Sequence, residues 1–142
     1  MLIRDLAEIA RQGRRYRAAA LEPYGLTYYH ASFLPVIAEH PGLSQDQLAQ
    51  LLCMNKSNVA RRIVALEEEG LVQRTPSSRD RRVMEVSLTE KASSLLPVLR
   101  DVLHTWDEYL RQDMTEEEQA LLARLLSHVR ERAVSWKEDA HE

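Results

Sequence analysis

Two clusters of side chains in this chain have the types and spacing to grip a polyanion. The first is Asn55, Lys56, Ser57, Asn58, Arg61 and Arg62. The second is Arg79, Asp80, Arg81 and Arg82 inside the run PSSRDRR. Asn pairs well with an adenine edge and Arg or Lys with guanine, whereas Ser and helix-start amides suit phosphate. Asp80 has a different use: a carboxylate among arginines can hold one guanidinium by two parallel hydrogen bonds and fix its aim. The plainer alternatives are a solvated helix face for the first cluster and a soluble hairpin turn for the second.

Positioning these groups falls to the stretch from Ser44 to Thr89, which reads as two short helices, a strand, a basic tip and a second strand. Ser44 with Gln47 three residues later is the reciprocal side-chain pair of a helix start, and Leu48, Leu51 and Leu52 follow at helical spacing. After a turn at Cys53 and Met54, Asn55 is placed to cap a second helix. Val59, Ile63 and Leu66 form its buried stripe, which leaves Lys56, Ser57, Asn58, Arg61 and Arg62 facing outward. Gly70 ends it by accepting a left-handed conformation. Leu71 to Thr75 and Val83 to Leu88 then read as a hairpin, with Val86 and Leu88 alternating against Glu85 and Ser87. A helix about 10–12 Å across fits the major groove of B-form DNA. Polar residues in its first two turns are what helix-turn-helix docking requires.

The blocks LAQLLCMNKSNVARRIVALEEEGLVQR and SSRDRRVMEVSLTEKA resemble the winged-helix MarR-type bacterial transcription regulators. Helices on either side extend the likeness over nearly the whole chain. The resemblance implies a mainly α, winged-helix (α+β) fold with a DNA-binding module at 27–91 and a helical dimerisation region from 1–22 and 92–142. It also implies that Asn55 to Arg62 is the reading helix, Asp80 the orienting acid and Arg82 a minor-groove finger. The candidate DNA contacts are Ser44, Gln45, Asn55, Lys56, Ser57, Asn58, Arg61, Arg62, Arg74, Arg79, Asp80, Arg81 and Arg82. The implied partner is double-stranded DNA with a pseudo-palindromic operator, and the implied role is a cytoplasmic repressor. Two residues depart from the family pattern: Cys53 stands at a turn position where Gly is frequent, and Ala92 replaces a frequent closing Gly.

A net charge of −3 does not suggest a DNA binder, but the charge is polarised. Residues 55–82 balance to +3 and residues 107–142 to −5. Local field rather than net charge governs contact with a polyanion. A length of 142 residues suits one domain with helical arms. No apolar run reaches membrane length, the N-terminus lacks a signal-peptide core, and a single cysteine excludes an intrachain disulfide.

In chain order, Leu2 to Ala20 reads as an amphipathic helix with Leu2, Leu6 and Ile9 on one face and Arg11, Arg14, Arg15 and Arg17 on much of the rest. EPYGLT is a loop, with Thr27 capping a helix to about Glu39 that buries Phe33, Leu34 and Ile37. Pro35 lies inside that helix and predicts a kink or an early end. After the hairpin, Thr89 caps a helix to about Arg111 with Leu95, Leu99, Val102 and Trp106 on one stripe. Pro97 within it predicts a bend. Thr115 with Glu118 opens a last helix carrying Leu122, Leu125, Leu126, Val129 and Ala133, and the final EDAHE is expected to fray. Broad apolar surface on the terminal helices favours association with a second copy. A two-fold dimer also presents two reading helices about 34 Å apart. The alternative is a monomer whose terminal helices pack on their own module.

The resemblance further implies a small aromatic or anionic effector, for which Arg15, Tyr16, Tyr29 and His30 are the candidate lining. Such a ligand must bind two forms of the protein with different affinity, or nothing shifts. Cys53 admits a redox-switch alternative, set against a simple turn residue. His30, His40, His104, His128 and His141 show no pair at helical ligand spacing, so no metal or other cofactor is expected. No Gly-rich phosphate loop or nucleophile motif points to an enzyme. A winged helix used for protein contacts would need a neutral or apolar face where this one is polar and basic.

Overall fold

The computed structural model describes residues 1–136, so the expected fraying at 138–142 lies outside the described residues. The chain forms two compact units, Met1–Trp106 and a second that begins at Asp107. Its helices are α1 (Leu2–Leu21), α2 (Tyr28–Glu39), α3 (Gln45–Leu52), α4 (Lys56–Glu68), α5 (Glu90–Arg111) and α6 (Glu116–Val134). The strands β1 (Val72–Pro76) and β2 (Met84–Leu88) pair antiparallel between α4 and α5, in register Val72 opposite Leu88 and Pro76 opposite Met84. The hairpin expected at 71–75 and 83–88 is present, each strand beginning one residue later than expected.

Side chains at the helix starts explain where the elements begin. Ser44 Oγ accepts from the Gln47 amide at 3.1 Å while the Gln47 side chain accepts from the Ser44 amide at 3.0 Å. Asn55 Oδ1 accepts from the Asn58 amide at 2.8 Å, opening α4. Thr115 and Glu118 form the same reciprocal pair at α6, and Thr89 Oγ1 accepts from the Ala92 amide at the head of α5. Gly70 closes α4 with φ of 73°. Helix α2 continues past Pro35 to Glu39, so the proline neither ends it nor exposes it: Pro35 is itself buried. The loop expected at EPYGLT contains a short 3-10 turn, Glu22–Tyr24.

The core lies in the first unit. Phe33, Leu34 and Ile37 of α2 meet Leu48 of α3, the Val59–Ile63–Leu66 stripe of α4, and Val72 and Val86 of the hairpin. Leu21 of α1 and Ala92, Leu96, Leu99 and Val102 of α5 complete it. Complete burial of Ala92 leaves no space for a larger side chain at the position where the family pattern favours Gly. The Val86 amide donates to the Leu43 carbonyl at 2.8 Å, which ties the hairpin to the head of α3. In α1 the expected apolar face is largely in water: Leu2, Ile3 and Ile9 are exposed. Helix α6 buries no residue, and Leu121, Leu125 and Leu126 are exposed. Among the described residues, no helix is long and apolar enough to cross a membrane.

Candidate nucleic-acid interface

Helix α4 presents the first cluster as its cap and stripe dictate. Asn55, Lys56, Ser57 and Arg61 are exposed, and Asn58 is half-buried. Lys56 Nζ lies 3.3 Å from Asp46 of α3, an exposed pair that water screens. Arg61 donates to Asn58 Oδ1. Ser44 and Gln45 sit half-buried at the head of α3, with the Ser44 hydroxyl committed to its cap.

Arg62 departs from the outward placement expected for it. It is half-buried, donates to the Tyr29 hydroxyl, and lies with its guanidinium carbon 3.3 Å from the Tyr29 ring centroid. The reason is positional. Residue 62 is three after Val59 and four before Leu66, so it stands on the margin of the buried stripe rather than opposite it. Arg74 is likewise engaged inside the chain, donating to both oxygens of Glu67 at 3.0 and 3.2 Å. That contact raises the Arg74 pKa and lowers that of Glu67.

At the hairpin tip the turn is closed by Ser77 N–H to Val83 O at 2.8 Å and Val83 N–H to Asp80 O at 2.9 Å. Arg79, Arg81 and Arg82 are exposed there. Asp80 Oδ1 accepts from Arg82 Nε at 3.2 Å and from its amide at 3.0 Å, while Oδ2 accepts from Nη2 at 3.3 Å. These bonds hold the Asp80 carboxyl below its ordinary pKa. The two-point grip expected of Asp80 is therefore present, and it falls on Arg82.

A cavity of 870 Å³ opens between α1, α2 and α4 in the first unit. Its polar wall is Arg14, Arg17, Tyr28, Tyr29, Asn58, Arg61 and Arg62, and its apolar wall includes Ile9, Phe33, Met54 and Trp106. Of the four side chains expected to line an effector site, Tyr29 is in the lining of this cavity. Arg15 points into water with Gln12 as neighbour. Tyr16 stacks on Trp106 with ring centroids 4.9 Å apart. His30 is buried, 5 % exposed, and belongs to the fold: its Nδ1 accepts from the Thr27 amide at 2.9 Å. The ring proton is then on Nε2, which donates to Glu69 at 2.8 Å. The α1 arginines in the cavity lining are Arg14 and Arg17. The missed signal is the row Ile9, Gly13, Arg17, four residues apart and so on one helix face. Burial, with Arg14 nearby, pulls the Arg17 guanidinium below its usual pKa, and its Nε has no hydrogen-bond partner.

Cys53 is exposed at the end of α3 in the left-handed conformation, with φ of 53°. This backbone geometry explains why glycine suits the position.

Two helices joined by a tight turn, the second open to solvent and followed by a two-stranded basic hairpin, define a winged helix-turn-helix protein. Comparison with known proteins narrows the class. A sequence model of the MarR family matches residues 26–84. The HTH-type transcriptional regulator YybA of Bacillus subtilis (strain 168) is 28 % identical over 91 % of this chain and 86 % of its own length. Two solved structures share the fold. A MarR transcriptional regulator from Methanosarcina mazei Go1 superposes with a TM-score of 0.85 at 28 % identity, covering 94 % of this chain and 96 % of that one. A MarR family regulator from Listeria monocytogenes, complexed with 26mer DNA, gives 0.86 at 24 % identity over 92 % and 87 %. Over residues 26–84, and in its fold, the chain is similar to MarR-type transcriptional regulators.

Proposed function

We propose that this regulator is a homodimeric repressor that acts in the cytoplasm and reads a pseudo-palindromic double-stranded operator. Helix α4 enters the major groove through Asn55, Lys56, Ser57, Asn58 and Arg61, and the wing reaches the adjacent minor groove with Arg82, flanked by Arg79 and Arg81. The observation that carries this reading is the wing tip. The Arg82 side chain is 91 % exposed, and two hydrogen bonds to the Asp80 carboxylate aim its guanidinium at the hairpin tip, where Arg79 and Arg81 are exposed beside it. Exposed Leu2, Ile3 and Ile9 on α1 and Leu121, Leu125 and Leu126 on α6 support a second copy as partner. The 27–91 module then does the reading, and 1–22 with 92–142 the dimerising. The cavity, with four arginines, two tyrosines and Trp106, suits a small aromatic anion that releases the DNA.

The test is selection of bound fragments from a random-sequence duplex pool. A two-fold motif with half-sites about one helical turn apart is expected. Recovery of no motif, or of an unrepeated one, overturns the dimeric reading of the operator.

A further inference from the structure

Of the two arginines of α4, Arg61 is exposed and Arg62 is half-buried. Arg62 meets Tyr29 twice, through the stacked guanidinium and through the hydroxyl. Tyr29 in turn lies against Tyr28, ring centroids 4.1 Å apart, in the first turn of α2. That turn is fixed by His30, which bonds to Thr27 behind it and to Glu69 at the far end of α4. Residues 62 and 69 are seven apart, two helical turns, and therefore lie on one side of the helix axis. Two attachments that far apart on one face fix both the tilt and the rotation of α4. The adjacent residue, Arg61, points about 100° away around the helix, is exposed and donates to Asn58, while all three side chains border the cavity.

We infer that Arg62 is the grip by which α2 aims the recognition helix, that Tyr29 is its positioning residue, and that Arg62 itself makes no contact with DNA. This rests on the DNA-binding reading above. Its chemistry favours Arg over Lys, because only the planar guanidinium stacks on the ring and donates to the hydroxyl together. Loosening the grip leaves the groove-facing side chains intact but less well aimed, so the complex must order α4 on binding.

The experiment measures affinity for the selected duplex across a salt series. Each phosphate contact contributes about 0.9 to the slope of log affinity against log salt. Tyr29→Phe, Arg62→Gln and Arg62→Lys are each expected to weaken binding about 3–10-fold at fixed salt, the loss of one hydrogen bond with its alignment. None of the three should change the slope. The double variant Tyr29→Phe/Arg62→Gln should be no weaker than either single, because both remove one interaction. Arg61→Gln is the control and should flatten the slope. The inference is overturned if Arg62→Gln flattens the slope as Arg61→Gln does, if Arg62→Lys binds like wild type, or if Tyr29→Phe binds unchanged. If Tyr29→Phe melts well below wild type, the Arg62→Lys and Arg62→Gln slopes decide alone. Failure of the wild-type chain to select any duplex would instead sink the DNA-binding reading, before any variant is made.

Discussion

Asp80 holds Arg82 three times, by Nε at 3.2 Å, by Nη2 at 3.3 Å and by the backbone amide at 3.0 Å. The carboxylate thus fixes both the fold of the turn and the direction of the guanidinium. Asp80→Ala should weaken DNA binding nearly as much as Arg82→Ala while leaving the melting temperature close to wild type, because the pair is solvated. The pH dependence follows from the depressed Asp80 pKa. A carboxyl whose pKa is lowered in the folded state contributes order that is fully present above its unfolded value and is lost as pH falls through the lowered one. Amide exchange at Arg82 should therefore remain protected down through the ordinary carboxylate range and open only below it. Opening at or above that range would contradict the assignment.

How much of this was legible in the sequence differs between local and distant contacts. The caps at Ser44, Asn55, Thr89 and Thr115 and the Asp80–Arg82 grip were readable because each joins residues two or three positions apart. Arg62 and Tyr29 are separated by 33 positions, and His30 and Glu69 by 39. No periodicity reports such a pairing. The charge of Arg62 suggests the outer face, while its place beside the buried stripe puts it at the margin. The basic run of α1 offers Arg11, Arg14, Arg15 and Arg17 alike, and only the packing of the helix decides which of them faces the cavity.

His30 is the side chain on which α2 and α4 depend jointly. Replacing it with Ala removes a buried ring, leaves the Thr27 amide without its acceptor and frees Glu69. The expected loss of stability is about 2–4 kcal/mol, from the cavity and the lost hydrogen bonds together. His30→Asn should cost less, since an amide oxygen can still accept from Thr27. Chemical denaturation checks both; equal losses for the two variants would show that the capping bond contributes nothing.

Cys53 sits at φ of 53°, where a side chain is disfavoured by about 1–2 kcal/mol. Glycine removes that strain but has more freedom to lose on folding, about 0.5–1 kcal/mol. Cys53→Gly should therefore gain roughly 0.5–1 kcal/mol in urea unfolding, and Cys53→Ser should be near neutral. A loss on Cys53→Gly would mean that the thiol packs to more effect than its exposure suggests.

Arg17 brings a half-buried cation beside Arg14 with its Nε unpaired. A ligand-free protein gains little from such a group, and an anion in the cavity gains much. Arg17→Met should leave thermal stability unchanged or slightly raised without ligand. It should also abolish any rise in melting temperature produced by benzoate, used as a plain aromatic anion. A benzoate response that survives Arg17→Met but not Arg14→Met would move the anion site one helical turn along α1.

Leu125 lies in α6, is 51 % exposed, and stands one position from Leu126 and four from Leu121, both also exposed. A helix that buries no residue within its own chain has no internal source of packing energy for this apolar surface. Covering it with a second copy supplies that energy, since each large side chain removed from water contributes about 1.5–3 kcal/mol. A charge placed there should act on association far more than on the first unit. Leu125→Asp is therefore expected to shift the mass measured by light scattering from a dimer towards the 16.4 kDa of one chain. The denaturation midpoint of Leu125→Asp should become independent of protein concentration, whereas that of the wild-type chain is expected to rise with it. A wild-type chain that is already monomeric at micromolar concentration would show that these leucines are covered in some other way.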